Sequence, residues 1–428
     1  MVLSTAKAIE VLYENAVEQY QQRTHMLNLT THYTPDPGDY QNSNNIIWRP
    51  LEQHAPIKEG WDLTNQFGDV IEQYYPATLE TPKNDAWELR ADDMRDMRFW
   101  ERRGRASGRR QATFLNLRVA QLIVETGTLF YRLTGATEGF NFVSEGGAIM
   151  DERQVSQEER YYVLNVRDNN TFSADLANRG TLADRPEAAY AMGYVGRNVA
   201  SFDLYTGSYI PNLTGSATAI TATVSGNQSF APVGSTGTGQ NVQNVDYRQA
   251  VIPVSATTQF AIGDVITFAN AGTPVRAIGQ ADKSATGQTM TFRVVDITAG
   301  TSITVWPKPI AQNDTANLSA EELAYANVDT AILNGATITR LNVDPTVKPN
   351  IYWAQDSVEV IGGQIPADML KQFGGLNVMS ETMENGQVMY LVYDGTIEDL
   401  TFKARLFTWW GLVNVRPDAN GIGIRATA

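Results

Sequence analysis

With 428 residues and 43% hydrophobic content, the chain is long enough for two or three domains with a sizeable core, which excludes a largely disordered protein. Acids outnumber bases 47 to 33, so the net charge of −14 repels phosphate, restricts nucleic-acid contact to a local patch and favours basic partners. The absence of cysteine removes disulfides, thiol nucleophiles and thiolate metal sites, and all three histidines, His25, His32 and His54, fall in the first 54 residues, away from most of the chain.

The opening MVLSTAKAIEVLYENAVEQYQQR carries charges where a signal peptide needs an apolar core, and no window approaches the ~20 apolar residues of a membrane span. No membrane partner is expected. From Ser4 to about Arg23, Ile9, Leu12, Tyr13, Ala16, Val17 and Tyr20 recur at helical spacing, with Ser4 or Thr5 as N-cap. Glu10, Glu14 and Glu18 stand at i, i+4 and i+8 on the opposite side, a solvated face or a docking stripe. HYTPDPGDYQNSNN then reads as loop. Ile46 to Glu88, broken by Pro50, Pro56, Pro76 and Pro82, reads as an extended arm or long hairpin that rests on something else.

No proline occurs between Pro82 and Pro186, and the pattern from about Arg90 to Phe130 predicts one helix of ~60 Å. Met94, Met97, Trp100, Gly104, Gly108, Leu115, Val119 and Leu122 share one side. The two glycines cost ~1 kcal/mol each in propensity while permitting a partner's close approach, and they leave a break of the helix near Gly104 to Gly108 open as the alternative. Within this helix Arg95, Arg98, Arg102, Arg105 and Arg109 are spaced 3, 4, 3, 4 and fall within about 80° of the wheel at ~3.6 residues per turn. Such a stripe is a solvated face, a protein–protein contact or a DNA contact; no aromatic stacking platform supports the last. Asp92, Asp93 and Asp96 have the DDxxD spacing of a magnesium site, but no second acidic motif accompanies them, and Arg90 and Arg95 stand within ion-pair reach.

Between Gly135 and Thr214 short helices and strands alternate, closing with MGYVGRNVASFDLYTGSYIPNL. From Ala217 to about Ala316, ITATVSG, RQAVIPVSATTQF, GDVITFA, MTFRVVDI and TSITVWPKPI read as successive strands of a small all-β module, a barrel inserted into a parent domain. GSTGTGQ at Gly234 to Gln240 lacks the Lys-Ser/Thr of a phosphate loop and reads as a loop of that module. SAEELAYANV predicts a capped helix, and mixed patterning resumes at about Asn334.

Taken in order, NNIIWRPLEQHAPIKEGWDLT, LRADDMRDMRFWERR, PEAAYAMGYVGRNVASFDL, TATVSGNQSF, VWPKPIAQND with SAEELAYANVDT, and WWGLVNVRPDANGIGI resemble the major coat proteins of short-tailed phages of the P-twenty-two type. The resemblance implies an α+β fold, the Hong Kong ninety-seven capsid fold. Its parts would be an N-terminal arm helix (1–36), an extended E-loop (37–88), a spine helix (89–134), peripheral and axial parts (135–216 and 334–428) and an inserted β-barrel (217–333). It implies a non-enzyme without cofactor, a virion component assembled in the host cytoplasm. Its expected partners are itself in pentamers and hexamers, a scaffolding protein, a portal protein, and double-stranded DNA held by enclosure.

By that resemblance Glu10, Glu14 and Glu18 are candidates for scaffold binding, and Arg95, Arg98, Arg102, Arg105 and Arg109 for an inter-subunit charge stripe, in which Arg98, Arg102 and Arg105 meet carboxylates of the extended arm of the same or an adjacent subunit. Ser235, Thr236, Thr238, Gln240, Asp246 and Arg248 are candidates for an inter-capsomer loop. The family's charged loop has here no charge before Asp246 and Arg248. A magnesium-dependent enzyme using Asp92 and Asp96 and a β-rich binding or adhesin protein are the other two classes.

Overall fold

The computed structural model describes residues 5–36, 45–51, 59–64, 73–90, 97–134, 139–178, 194–228, 246–314, 318, 323–372, 375–383, 386–396 and 401–426. The chain divides into two compact units: residues 1–47, 77–119 and 358–413 form one, and residues 48–76, 120–357 and 414–428 the other.

The first unit is built on two helices, α1 (Thr5–Arg23) and α2 (Met97–Thr126). The apolar positions of α1 are buried as the periodicity predicts: Ile9, Leu12, Tyr13, Ala16, Val17 and Tyr20 are each at most 5% exposed. Each fully buried apolar side chain contributes about 1.5–3 kcal/mol. Thr24 closes the helix, its amide and hydroxyl both donating to the Tyr20 carbonyl at 3.1 Å. Beside the helices lies an antiparallel sheet in the order Asn377–Thr382, Val388–Thr396, Thr401–Thr408, Lys83–Arg90. The Tyr13 hydroxyl donates to the Met389 carbonyl and that of Tyr20 to Gln387 Oε1, both at 2.7 Å, tying α1 to this sheet. Trp100 of α2 meets Phe402 edge-on with ring centroids 5.8 Å apart.

Alpha-helix α2 is continuous through Gly104 and Gly108 because a neighbouring backbone occupies the space their side chains would need. A Cβ on Gly104 would stand 2.2 Å from the Leu12 carbonyl oxygen, and one on Gly108 2.2 Å from that of Ala16. Both pairs advance by four residues, so α1 and α2 run parallel with their backbones in contact. Asn116 extends the seam, donating to the Arg23 carbonyl at 2.9 Å and accepting from the Met26 amide at 3.3 Å.

In the second unit a mixed sheet runs in the order Leu129–Thr134, Asn420–Ala426, Asn350–Ala354, Arg160–Asn165, Phe202–Gly207, Tyr194–Val199. Its centre is aromatic: Tyr162 stacks on Tyr352 at 5.7 Å, and the Tyr131 and Tyr162 hydroxyls share a hydrogen bond of 2.7 Å. Phe142 and Met150 of α3 (Gly139–Glu152) and Phe172 of α4 (Val166–Asn178) join that core. The predicted all-β stretch forms an antiparallel sheet in the order Ala250–Pro253, Ser302–Trp306, Phe292–Thr298, Val265–Asn270, with Thr337–Arg340 also paired to Val265–Asn270. It has its own apolar cluster, including Ile252, Phe268, Phe292, Ile303 and Ile338.

The structure differs from the sequence reading in several places. The helix expected to reach Phe130 stops at Thr126: the Gly127 amide bonds the Ile123 carbonyl at 2.8 Å, and the buried Arg293 guanidinium takes the carbonyls of Val124 and Gly127, both at 2.7 Å. Lys83–Arg90, read as the end of the extended arm, pairs along its length with Thr401–Thr408. The β sheet runs past Leu333 to take in Thr337–Arg340, because Ile338 is needed in its core. Finally, the described residues after Asn334 are mostly strand, with a short α-helix at Ala367–Gln372 and 3-10 turns at Gln355–Ser357 and Pro417–Ala419. Residues 319–322 of the helix predicted at SAEELAYANV, and the start predicted for α2 before Met97, lie outside the described residues; Ala324 to Val328, expected to continue that helix, instead run as a turn into β-bridges of Val328 with Ala277 and Ala311.

Replacing Gly104 or Gly108 by alanine separates propensity from packing. Propensity alone gives a gain of about 1 kcal/mol, whereas intrusion on the carbonyls of α1 costs about 1–3 kcal/mol. Equilibrium denaturation is expected to show net destabilisation for both variants, and a stabilised Gly104→Ala would contradict the seam.

Candidate functional site

The seam sets two charged rows beside each other. Because the Leu12 and Ala16 face of α1 is buried, Glu10, Glu14 and Glu18 are exposed in one line, with the Glu18 carboxylate accepting from Gln22 Nε2 at 3.0 Å. On α2, Arg98, Arg102, Arg105 and Arg109 are likewise exposed. Arg105 Nε donates to Asn15 Oδ1 and Arg109 Nε to Gln19 Oε1, each at 3.0 Å. Both contacts use amides, so they orient the two guanidinium groups without adding a compensating negative charge. Arg95, Asp92, Asp93 and Asp96 lie outside the described residues.

Two carboxylates of the extended segment, Glu80 and Asp85, are met by arginines that the regular spacing did not single out. Asp85 accepts from Arg103 Nη2 at 3.0 Å and from the Ser107 hydroxyl at 2.6 Å, with Arg110 Nη1 at 3.8 Å. Glu80 accepts from Lys83 Nζ at 2.8 Å and Arg118 Nη2 at 3.1 Å. The Arg103 guanidinium also lies 4.6 Å from the Trp87 ring centroid. One residue separates Arg103 from Arg102, yet that step of about 100° around a helix carries it onto another face. The available signal was Glu80, Asp85 and Trp87, clustered just before the helix.

Burial pushes the Glu80 carboxyl up, but hydrogen bonds from Lys83 and Arg118 outweigh it and hold the group below its ordinary range. A depressed carboxylate contributes stability above its unfolded value and loses it as pH falls through the folded one.

Asp246 and Arg248 are not on a reaching loop. Both are buried, paired through Arg248 Nε and Nη2 to the two Asp246 oxygens at 3.0 and 2.9 Å. The Arg248 Nη1 donates to the Asn414 carbonyl, and the guanidinium lies 4.6 Å from the Trp306 ring centroid and 4.8 Å from that of Tyr75. The pair is an internal clamp, so these two charges, expected to reach a neighbouring capsomer, are turned inward within the subunit. Ser235, Thr236, Thr238 and Gln240 lie outside the described residues. No helix among the described residues is long and apolar enough to cross a membrane.

The Glu80 contacts give a signed expectation. Glu80→Gln lowers stability at neutral pH by about 1–3 kcal/mol through loss of charge-assisted hydrogen bonds. That difference is complete above the ordinary carboxyl value of about pH 4.3 and shrinks in more acidic solution as the wild-type group protonates. Paired denaturation curves for wild type and variant across this range check it; a gap that stays constant with pH would contradict the charge assignment.

Comparison with known proteins places these features. The capsid of the cyanophage P-SCSP1u is 10% identical, covering 94% of this chain and 87% of its own, with a TM-score of 0.45. The coat-protein I-domain of CUS-3 is 34% identical, covering 28% of this chain and 95% of that domain, with a TM-score of 0.21. The Mycobacterium phage Che8 structure is 9% identical, covering 92% and 89%, with a TM-score of 0.41. The assignment rests on the sequence family rather than on these likenesses: the model described as P22 coat protein, gene protein 5, matches residues 1–426. The chain therefore belongs to the P22 coat protein family and is a phage major capsid protein of α+β fold.

Proposed function

We propose that copies of this coat protein form pentamers and hexamers and co-assemble with a scaffolding protein and a portal into an icosahedral procapsid in the host cytoplasm, which expands as double-stranded DNA is packaged. The observation that carries the reading is the fixed acidic row. Glu10, Glu14 and Glu18 are exposed along a helix whose opposite face is held against a neighbouring backbone, so they offer a preorganised line of charge to a basic partner helix. Exposed charge pairs contribute only about 0–1 kcal/mol each, and weak contacts of that size let misplaced scaffolding leave.

The exposed Arg98, Arg102, Arg105 and Arg109, together with Arg95, supply a second row for contact between subunits. The net charge of −14 repels DNA, so DNA is held by enclosure rather than by a binding groove. The all-β stretch serves as an inserted domain, and its loop around Ser235, Thr236, Thr238 and Gln240 contacts a neighbouring capsomer through polar hydrogen bonds.

Glu14→Lys leaves the subunit folded, since the side chain is exposed, and reduces scaffolding incorporation when the two proteins are co-expressed; sedimentation of particles followed by gel composition reads both. Unchanged incorporation would remove the acidic row from scaffold docking. Deleting Ser235 to Gln240 shifts assembly toward aberrant particles in negative stain, and normal shells from that deletion would remove the loop contact.

A further inference from the structure

The second unit holds a cavity of about 120 Å³ lined by Arg153, Arg248, Lys283, Lys308 and Arg416, with Asp418 the carboxylate among its described lining residues. One enclosed water needs only ~10–15 Å³, so the space takes a larger guest. Four of these cations, Arg153, Arg248, Lys283 and Lys308, are more than nine-tenths buried. Arg248 is matched by Asp246, and Arg416 by Asp356 at 2.7 Å.

Arg153 and Lys283 are satisfied differently. Arg153 Nε donates to Gln288 Oε1 at 3.2 Å, Nη1 to Met290 Sδ at 3.3 Å and Nη2 to Thr291 Oγ1 at 3.4 Å, all neutral acceptors. Lys283 Nζ donates to the Ala326 carbonyl at 3.0 Å. A guanidinium has five N–H groups and an ammonium three, so each side chain keeps N–H groups with no acceptor among the described residues. Burial pushes both groups down, while Asp418 partly opposes it. Glu152 adds a second opposing charge at Arg153, yet neither buried cation has a carboxylate within ion-pair distance among the described residues, and a small anion with several lone pairs reduces the cost of burying them. Ile278, Ile310 and Met290 give the wall an apolar part that strengthens charge interactions inside, beside the neutral polar Gln73, Gln280 and Asn327.

We propose that this cavity is a binding site for a small oxyanion of the phosphate type, held by Arg153 and Lys283 with Lys308 on the same wall. Asp418 lowers its affinity. The proposal is independent of any assembly partner, because all its residues belong to one unit of one chain.

The test is calorimetry and thermal unfolding of the purified full-length subunit with inorganic phosphate, against chloride at matched ionic strength. Phosphate is expected to give a saturable rise in melting temperature that chloride does not. Arg153→Met and Lys283→Met each weaken phosphate binding by at least about tenfold, the scale of one charge-assisted hydrogen bond. Asp418→Asn keeps an acceptor for Gln280 Nε2 and tightens phosphate binding severalfold, which keeps the proposal testable if a methionine variant does not fold. A shift that chloride reproduces, wild-type affinity in a folded Arg153→Met or Lys283→Met variant, or an Asp418→Asn variant that binds phosphate no more tightly than wild type, would overturn it.

Discussion

The first unit depends on one close approach, the backbone of α1 lying on Gly104 and Gly108 of α2. Dispersion and hydrogen bonding fall off within fractions of an ångström, so a helix pair separated by even one methyl layer would not place the same side chains together. Because the two carbonyls stand where Cβ atoms would be, the register of α1 on α2 is set by backbone rather than by adaptable side chains. From that register follow the Arg105 to Asn15 and Arg109 to Gln19 contacts, which repeat at the same interval of four. The row Glu10, Glu14 and Glu18 is directed by the same seam, since burying Leu12 and Ala16 leaves it the outer face.

The arginines of α2 divide into two populations by what they meet. Arg103, Arg110 and Arg118 approach carboxylates and hold the segment around Glu80 and Asp85 to the helix. Arg105 and Arg109 meet amides, which orient a guanidinium without cancelling its charge. The carboxylate pairs hold the fold together, while the Arg105 and Arg109 side chains remain exposed.

Buried cations in the second unit rely on backbone carbonyls as much as on acids. Arg293 donates to the carbonyls of Val124, Gly127 and Gly263, and its guanidinium is pushed down to about 9 by burial, with Asp264 and Glu125 opposing. It thereby caps the last turn of α2 from within the β sheet, satisfying acceptors that a helix end otherwise leaves open. Arg248 reaches the Asn414 carbonyl in the same manner. These contacts join segments far apart in sequence through groups that every residue carries.

Periodicity gave away the elements whose signal is local. The buried face of α1, the succession of strands after Ala250 and the room for a partner at Gly104 and Gly108 were legible, because helical and strand spacing report which face is apolar, whereas the continuity of α2 through those glycines was decided by packing. The order of motifs along the chain also pointed to its coat-protein family. Spacing could not say that α1 is the partner, since a period identifies a face and not its neighbour. Nor could it distinguish Arg102 from Arg103 as the residue that meets a carboxylate: that was decided by where Lys83–Arg90 pairs, a contact with Thr401–Thr408 across the chain. Asp246 and Arg248 looked like outward charges because their internal partners, Trp306 and Asn414, are distant in sequence. The sequence by itself determined faces, elements and family, which depend on short-range pattern. Only the tertiary structure decided which charges are internal and which are exposed, because burial and pairing depend on neighbours that local spacing does not encode.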